Sequence, residues 1–364
     1  MIPLLELQSQ YKLIQKPINT AINRVLKSGR YLFGTELEYF EKEFTNYIGT
    51  NYTVGTSSGT SALAISLRAL GVHRGHDVLV PANTAIPTAT AVLQAGARPI
   101  FCDINNDAYT LDPKEIANKI TPKTKAVIPV HLYGQAAAMD PINKIAKEFK
   151  IAVVEDCAQA CGATYKNKKV GTLGDIGCFS FFPSKNLACY GDGGAITTNN
   201  KVLKERALSL RYYGQFKRYH VKVPGWNARL SEIQAAILRV KLKYLDAWNN
   251  KRIILAKQYN KNLKKIVKTP YEMPNTKHVY HLYVIRTKNR ESLRSYLTED
   301  GINTEVHYPI PLHKQEAFLQ KSSLPNSERL SGEILSLPLY PELPPKDIKT
   351  VCDSVKEWNN TSTN

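Results

Sequence analysis

The chain has no apolar run approaching the roughly 20 residues that a membrane-spanning helix needs. Its first residues, Met1-Ile-Pro-Leu-Leu-Glu-Leu7, lack the basic segment and long apolar stretch of a secretory leader, so the cytoplasm is the expected compartment. Cysteine is sparse, six in 364 residues, with no Cys-x-x-Cys pair. In a reducing compartment these read as buried thiols rather than disulfides. Cys157 and Cys161, four apart, would share a helix face, but no His or Cys follows at zinc-site spacing, so no metal is expected. Acidic residues are few, 31 against 49 Lys and Arg, which leaves a net charge of +18. Such a balance suits nucleic acid, a membrane surface or an anionic small molecule. The lysines are spread out, densest at Lys261-Asn-Leu-Lys-Lys-Ile-Val-Lys268, with no helix-turn-helix, zinc finger or RNA-binding sheet motif beside them. They read as a solvated basic surface with a mild pull on phosphorylated substrates; neither nucleic acid nor a membrane is an expected partner. Repeats and low-complexity linkers are also missing.

What is present is a regular alternation. After two N-terminal helices (Gln10–Leu26 and Gly34–Tyr47), apolar strands at residues 51–56, 77–81, 98–103, 125–133, 151–156 and 177–182 alternate with helices at 61–70, 85–95, 113–120 and 141–149. This pattern predicts an α/β fold with a mostly parallel sheet covered on both faces. Ligands in such sheets bind beyond the carboxyl ends of the strands, here Pro81–Thr84, His131–Tyr133, Glu155–Gln159 and Lys185. A single amphipathic helix from Arg229 to Leu263, striped by Ile233, Ile237, Val240, Tyr244 and Trp248, is expected to join a large domain (1–240) to a small C-terminal α+β domain (241–364). The latter would hold a strand at His278–Ile285, a helix at Arg290–Asp300, a series of proline-broken turns and a frayed tail after Trp358.

Three stretches carry chemistry. Ser57-Ser-Gly-Thr60 links a strand to a helix; small residues expose N–H groups and the helix start adds positive partial charge, which suits a phosphate. Ser and Thr are equally good helix caps. Asp156 ends an apolar strand, where an unpaired carboxylate is costly; it reads either as the cap of a helix over Cys157–Cys161 or as a carboxylate aimed at a protonated ring nitrogen. Downstream, Phe179-Ser-Phe-Phe-Pro-Ser-Lys-Asn186 delivers Lys185 as a strand breaks at Pro183, just before Gly191-Asp-Gly-Gly194. A carboxylate followed by such a lysine is the pair that pyridoxal phosphate (PLP) requires, one for the ring nitrogen and one for covalent attachment.

Together these residues resemble the DegT/DnrJ/EryC1/StrS family of PLP-dependent sugar aminotransferases. The matching pieces run in the family's order: Ser58–Leu63, Val80–Thr84, Pro129–Gly134, Glu155–Ala160, Phe179–Leu187, Gly191–Gly194, Asn227–Leu230, Gln234–Ala236 and His307–Pro309. The resemblance implies fold-type I architecture, a mixed, mostly parallel seven-stranded sheet with a smaller C-terminal domain, working as a homodimer with shared active sites. It also implies that Lys185 carries the cofactor and moves the proton. Asp156 would face the ring nitrogen and Gln159 the ring hydroxyl, with Ala158 beneath the ring. Ser58, Gly59, Thr60 and Ser180 would sit at the phosphate, joined by Asn227 from the neighbouring subunit. Arg229, His307 and Tyr308 fall where the family handles the sugar nucleotide. Three departures stand out: Ala85 where relatives place a stacking aromatic, Cys161 for a histidine and Ser231 for an aspartate.

The implied reaction takes an amine from L-glutamate, releasing 2-oxoglutarate, and places it on the keto carbon of a nucleotide-linked sugar. Ile2–Gln8, Tyr219-His220 and Trp248-Asn249 look most like members that aminate C3; amination at C4 is the alternative. Family members that act as dehydratases replace the lysine with histidine, which Lys185 argues against. A basic, non-catalytic nucleic-acid-binding or regulatory protein on the same fold is a reading from another class, opposed by the intact Asp156, Gln159 and Lys185.

Overall fold

A computed structural model of the chain describes residues 1–362. Seven strands form the central sheet: β1 (Tyr52–Thr56), β2 (Asp77–Pro81), β3 (Arg98–Cys102), β4 (Thr124–Val127), β5 (Ala152–Asp156), β6 (Ile176–Ser180) and β7 (Gly194–Thr198). They lie in the order β1-β7-β6-β5-β4-β2-β3, with β7 antiparallel to both of its neighbours and all other pairings parallel. The mixed, mostly parallel seven-stranded sheet is therefore the observed one. Its strands are buried almost throughout, because helices cover both faces.

One consequence of this order positions the site. The carboxyl ends of β1, β2, β4, β5 and β6 share an edge, and reversal of β7 brings its first residue, Gly194, to that same edge opposite Thr56 and Ser180. A side chain at Gly194 would lie 2.3 Å from the Ser58 carbonyl oxygen, so only glycine lets β7 pass the Ser57–Thr60 turn.

The helices are α1 (Gln8–Ser28), α2 (Thr35–Ile48), α3 (Gly59–Ala69), α4 (Ile86–Gln94), α5 (Pro113–Lys119), α6 (Met139–Phe149) and α7 (Lys201–Leu210), then α8 (Glu232–Leu242) and α9 (Leu245–Leu263). The single helix expected over 229–263 is two helices, broken at Lys243-Tyr244, with Ser231 capping the first by accepting from the Gln234 N–H. The apolar stripe persists across the break: Ile237 and Trp248 pack with Ile14 and Ile18 of α1. Ser231 does the capping that an aspartate would do.

Beyond α9 follow β8 (Tyr283–Arg286), α10 (Arg290–Glu299), α11 (Pro325–Glu333), β9 (Ile334–Leu337) and α12 (Pro345–Ser362). A second apolar core, which includes Leu255, Tyr259, Tyr283, Leu297, Val351 and Trp358, gathers α9, β8, α10, β9 and α12, while α11 packs Leu330 into the main core. The strand predicted at 278–285 is confined to its last three positions plus Arg286, because Val279 and Leu282 bond instead to the Gly134 and Tyr133 carbonyls. The proline-rich end is not only turns: Pro325 and Pro345 start helices, where a missing N–H costs nothing. Asn359–Ser362, expected to fray, continues α12, and the last two residues lie outside the described ones. Among the described residues no helix is long and apolar enough to cross a membrane.

Candidate active site

Where the strand ends converge, a cavity of about 230 Å³ opens. It is lined by Ser58, Gly59, Thr60, Asp156, Ala158, Gln159, Ser180 and Lys185, so eight of the twelve residues singled out from the sequence meet there.

At one end, Ser58 caps α3. Its hydroxyl accepts from the Ser61 N–H at 3.1 Å, and Ser61 Oγ accepts the Ser58 N–H at 3.0 Å, a reciprocal capping box. The two readings of this turn are therefore compatible: the cap orders the turn, and the leading N–H groups of the helix, which lack intrahelical acceptors, adjoin the cavity through Gly59 and Thr60. A methyl at Gly59 would lie 2.7 Å from Ser180 Cβ, so glycine is what lets the Ser180 hydroxyl stand beside the helix start.

Asp156 is buried. The helix expected after it does not form; residues 157–162 make successive turns, and Asp156 Oδ1 accepts the Ala158 N–H at 3.1 Å. Oδ2 accepts the Thr88 hydroxyl at 2.9 Å, and Thr88 is in turn 3.1 Å from Thr84 Oγ1. Burial pushes the Asp156 carboxyl above its ordinary range, while these two donors and the charge of Lys185 pull the other way. Among the described residues no cation forms a salt bridge with it, and a carboxylate accepting two bonds keeps spare acceptor capacity.

Lys185 is fixed through its neighbours. Its N–H closes a turn onto the Phe182 carbonyl at 2.9 Å, and β6 has ended at Ser180, two residues earlier than the expected strand. Next to it, Asn186 Nδ2 donates to Asn249 Oδ1 at 2.8 Å and to the Val279 carbonyl at 3.1 Å. Burial brings the Lys185 ammonium down from the usual lysine range to about 8, with Asp156 opposing the shift. Gln159 is held at both ends of its amide: Oε1 accepts the Tyr133 N–H at 2.7 Å, and Nε2 donates to Tyr308 Oη at 3.0 Å.

The remaining four residues lie elsewhere. His307 and Tyr308 line a neighbouring cavity that also touches Lys185. Asn227 is exposed, and the half-buried Arg229 stacks over Tyr212 and Tyr213, on a segment that does not reach this cavity within its own chain. Thr88 was missed by sequence reasoning; its signal was the Thr84–Thr88 spacing at the start of α4. Ala85 lines the cavity with a methyl only, and Cys161 lies outside it, its carbonyl accepting Asn249 Nδ2 at 3.0 Å.

His131, Glu155 and Cys157 come close enough to suggest a metal site. The hydrogen bonds argue otherwise. Glu155 accepts from Gly171, Leu173 and Gly174 N–H and from His131 Nε2. His131 Nδ1 accepts the Ala137 N–H at 2.9 Å, which leaves the ring no lone pair for an ion. Burial also keeps the Cys157 thiol protonated. This cluster braces the loop behind Asp156.

The cavity fits PLP by its own geometry. A helix start and a hydroxyl suit the phosphate, an uncompensated buried carboxylate suits a protonated ring nitrogen, and half-buried Lys185 lines the same cavity.

Comparison with known proteins agrees. Residues 12–356 match the DegT/DnrJ/EryC1/StrS aminotransferase family. The dTDP-3-amino-3,6-dideoxy-alpha-D-galactopyranose transaminase of Aneurinibacillus thermoaerophilus is 44% identical over 361 residues, covering 98% of this chain and 99% of its own. The UDP-2-acetamido-2-deoxy-3-oxo-D-glucuronate aminotransferase of Pseudomonas aeruginosa is 42% identical, covering 97% and 99%. Crystalline DesV of Streptomyces venezuelae, in complex with a ketimine intermediate, superimposes with a TM-score of 0.96 at 42% identity over 98% of both chains. Solved neighbours also include chains with pyridoxamine phosphate bound.

Proposed function

The chain belongs to the DegT/DnrJ/EryC1/StrS aminotransferase family, and on that premise we propose that it aminates the C3 keto carbon of a nucleotide-linked sugar, with L-glutamate as donor and 2-oxoglutarate as by-product. The observation that carries this reading is the meeting of half-buried Lys185 and buried Asp156 in one cavity. The amination of 3-keto sugars named for its relatives favours C3 over C4.

When bound, PLP supplies an imine-forming aldehyde and a cationic ring that delocalises the electron pair left when a C–H bond is broken. The chain supplies the rest. Lys185 would hold the cofactor through its amine, which burial leaves neutral in a larger fraction at neutral pH than a solvated lysine, and the same amine would serve as the proton carrier at the reacting carbon. Asp156, oriented by Thr88 and the Ala158 N–H, would keep the ring nitrogen protonated. Gly59, Thr60 and Ser180 would hold the phosphate on a turn ordered by Ser58, Ala158 would support the ring, and Gln159, held by Tyr133 and Tyr308, would serve the ring hydroxyl.

Asn227 and Arg229 serve the partner's site in a homodimer, a reading supported by their exposed segment and by the exposed aromatics Tyr213, Phe216 and Tyr219 beside it. His307 and Tyr308 face the sugar. The six buried free cysteines accord with a reducing cytoplasm.

A panel of nucleotide-linked 3-amino and 4-amino sugars, run in reverse with 2-oxoglutarate, tests the proposal. Glutamate should form with 3-amino sugars; formation only with 4-amino sugars would overturn the C3 reading.

A further inference from the structure

A second cavity, of about 220 Å³, shares Lys185 and Phe182 with the first. No acidic side chain lines it, whereas Arg252, His281 and His307 do, together with Leu4 and Leu5 of the N-terminal segment. Arg252, on α9, is only 3% exposed. One edge of its guanidinium is spent on the protein: Nη1 donates to the Leu339 carbonyl at 2.9 Å and, more weakly, to those of Tyr280 and His281. The other edge is not. Nε is buried without an acceptor, and the hydrogen bonds that the guanidinium makes to the described residues all run from Nη1. Burial lowers the Arg252 group only to about 10, so it stays cationic at neutral pH. Glu342, whose charge favours that cation, does not line the cavity. His281, 6% exposed, also has an unpartnered Nδ1, and its Nε2 lies 3.4 Å from Lys185 Nζ.

A buried guanidinium with an idle edge is costly unless a ligand supplies the acceptors, and the planar partner that satisfies Nε and Nη2 together is a carboxylate. The leucines offer methylene-sized apolar walls beside it, and Lys185 ties this cavity to the cofactor cavity. We propose that the second cavity is the carboxylate subsite for the amino donor, with Arg252 receiving one carboxylate of the amino or oxo acid through Nε and Nη2 and His281 orienting the Lys185 amine alongside. The inference rests on the transaminase reading above and adds where the donor is held.

The test is calorimetric titration of 2-oxoglutarate into the PLP-loaded enzyme, which has no amine to transfer, so binding alone is read. Arg252→Lys, which breaks the fork but keeps the charge, and Leu5→Glu, which puts an anion in the cavity, should each weaken binding by about tenfold or more. Titration of dTDP or UDP should shift less than twofold. If Arg252→Lys does not fold, Leu5→Glu decides. Unchanged 2-oxoglutarate affinity in the folded variants, or an equal loss of nucleotide affinity, overturns the subsite. Should no amino sugar in the reverse panel turn over while Arg252 still governs 2-oxoglutarate binding, the sugar reading fails and the subsite stands.

Discussion

The Thr88 hydroxyl donates to Oδ2 of Asp156 at 2.9 Å, so a residue in the first turn of α4 holds the carboxylate that ends β5. A hydrogen bond to a charged group contributes about 1.5–3 kcal/mol. Thr88→Val is nearly isosteric and removes only the donor; it should weaken PLP retention by about tenfold, measured by absorbance during dialysis. Thr88→Ser should restore most of it. Equal retention in all three proteins would remove Thr88 from this role.

Borohydride reduction of the PLP-loaded protein should fix the cofactor on the peptide containing Lys185. Lys185→Ala should give no such adduct and lose about 10⁴-fold or more in turnover, since both attachment and proton transfer go with it. An adduct on another lysine would refute the assignment.

The amine of Lys185 has a definite pH signature. Burial favours its neutral form, so in cofactor-free protein its labelling by an amine-selective reagent should rise with pH to half-maximum near about 8, well before surface lysines. Asp156 opposes that shift, so Asp156→Asn should move the midpoint further down. Mass spectrometry of the labelled peptide reads both, and an upward move would contradict the charge coupling.

Mixed dimers test the proposed shared site. Random mixing of inactive Lys185→Ala and Asn227→Ala chains leaves one site in a mixed dimer with both residues intact, or about a quarter of all sites. Activity should recover toward that fraction after co-refolding. No recovery would mean that Asn227 acts within its own chain or not at all.

Glu155 is a bracing residue rather than a metal ligand. Replacing it with Gln sets an N–H₂ against N–H donors in a buried place and should cost about 3 kcal/mol or more in urea unfolding. EDTA should leave the unfolding midpoint of the native protein unchanged; a drop would restore the metal reading of His131, Glu155 and Cys157.

By itself the sequence determined the alternating framework, because apolar periodicity and glycine-bearing turns are local properties, and it placed Ser58–Thr60, Asp156 and Lys185 at strand ends that an α/β sheet gathers on one edge. Tertiary structure alone decided what depends on partners distant in the chain. The expected helix over 229–263 breaks in two where both parts must pack on α1. The strand expected over 278–285 shrinks because Gly134 and Tyr133 claim its N–H groups, and turns replace the helix expected after Asp156. Arg252 and His281 carry no local motif; they share a cavity with Lys185 only in the folded chain, and that Arg252 Nε lacks an acceptor is visible only once the rest of its hydrogen bonds have been made.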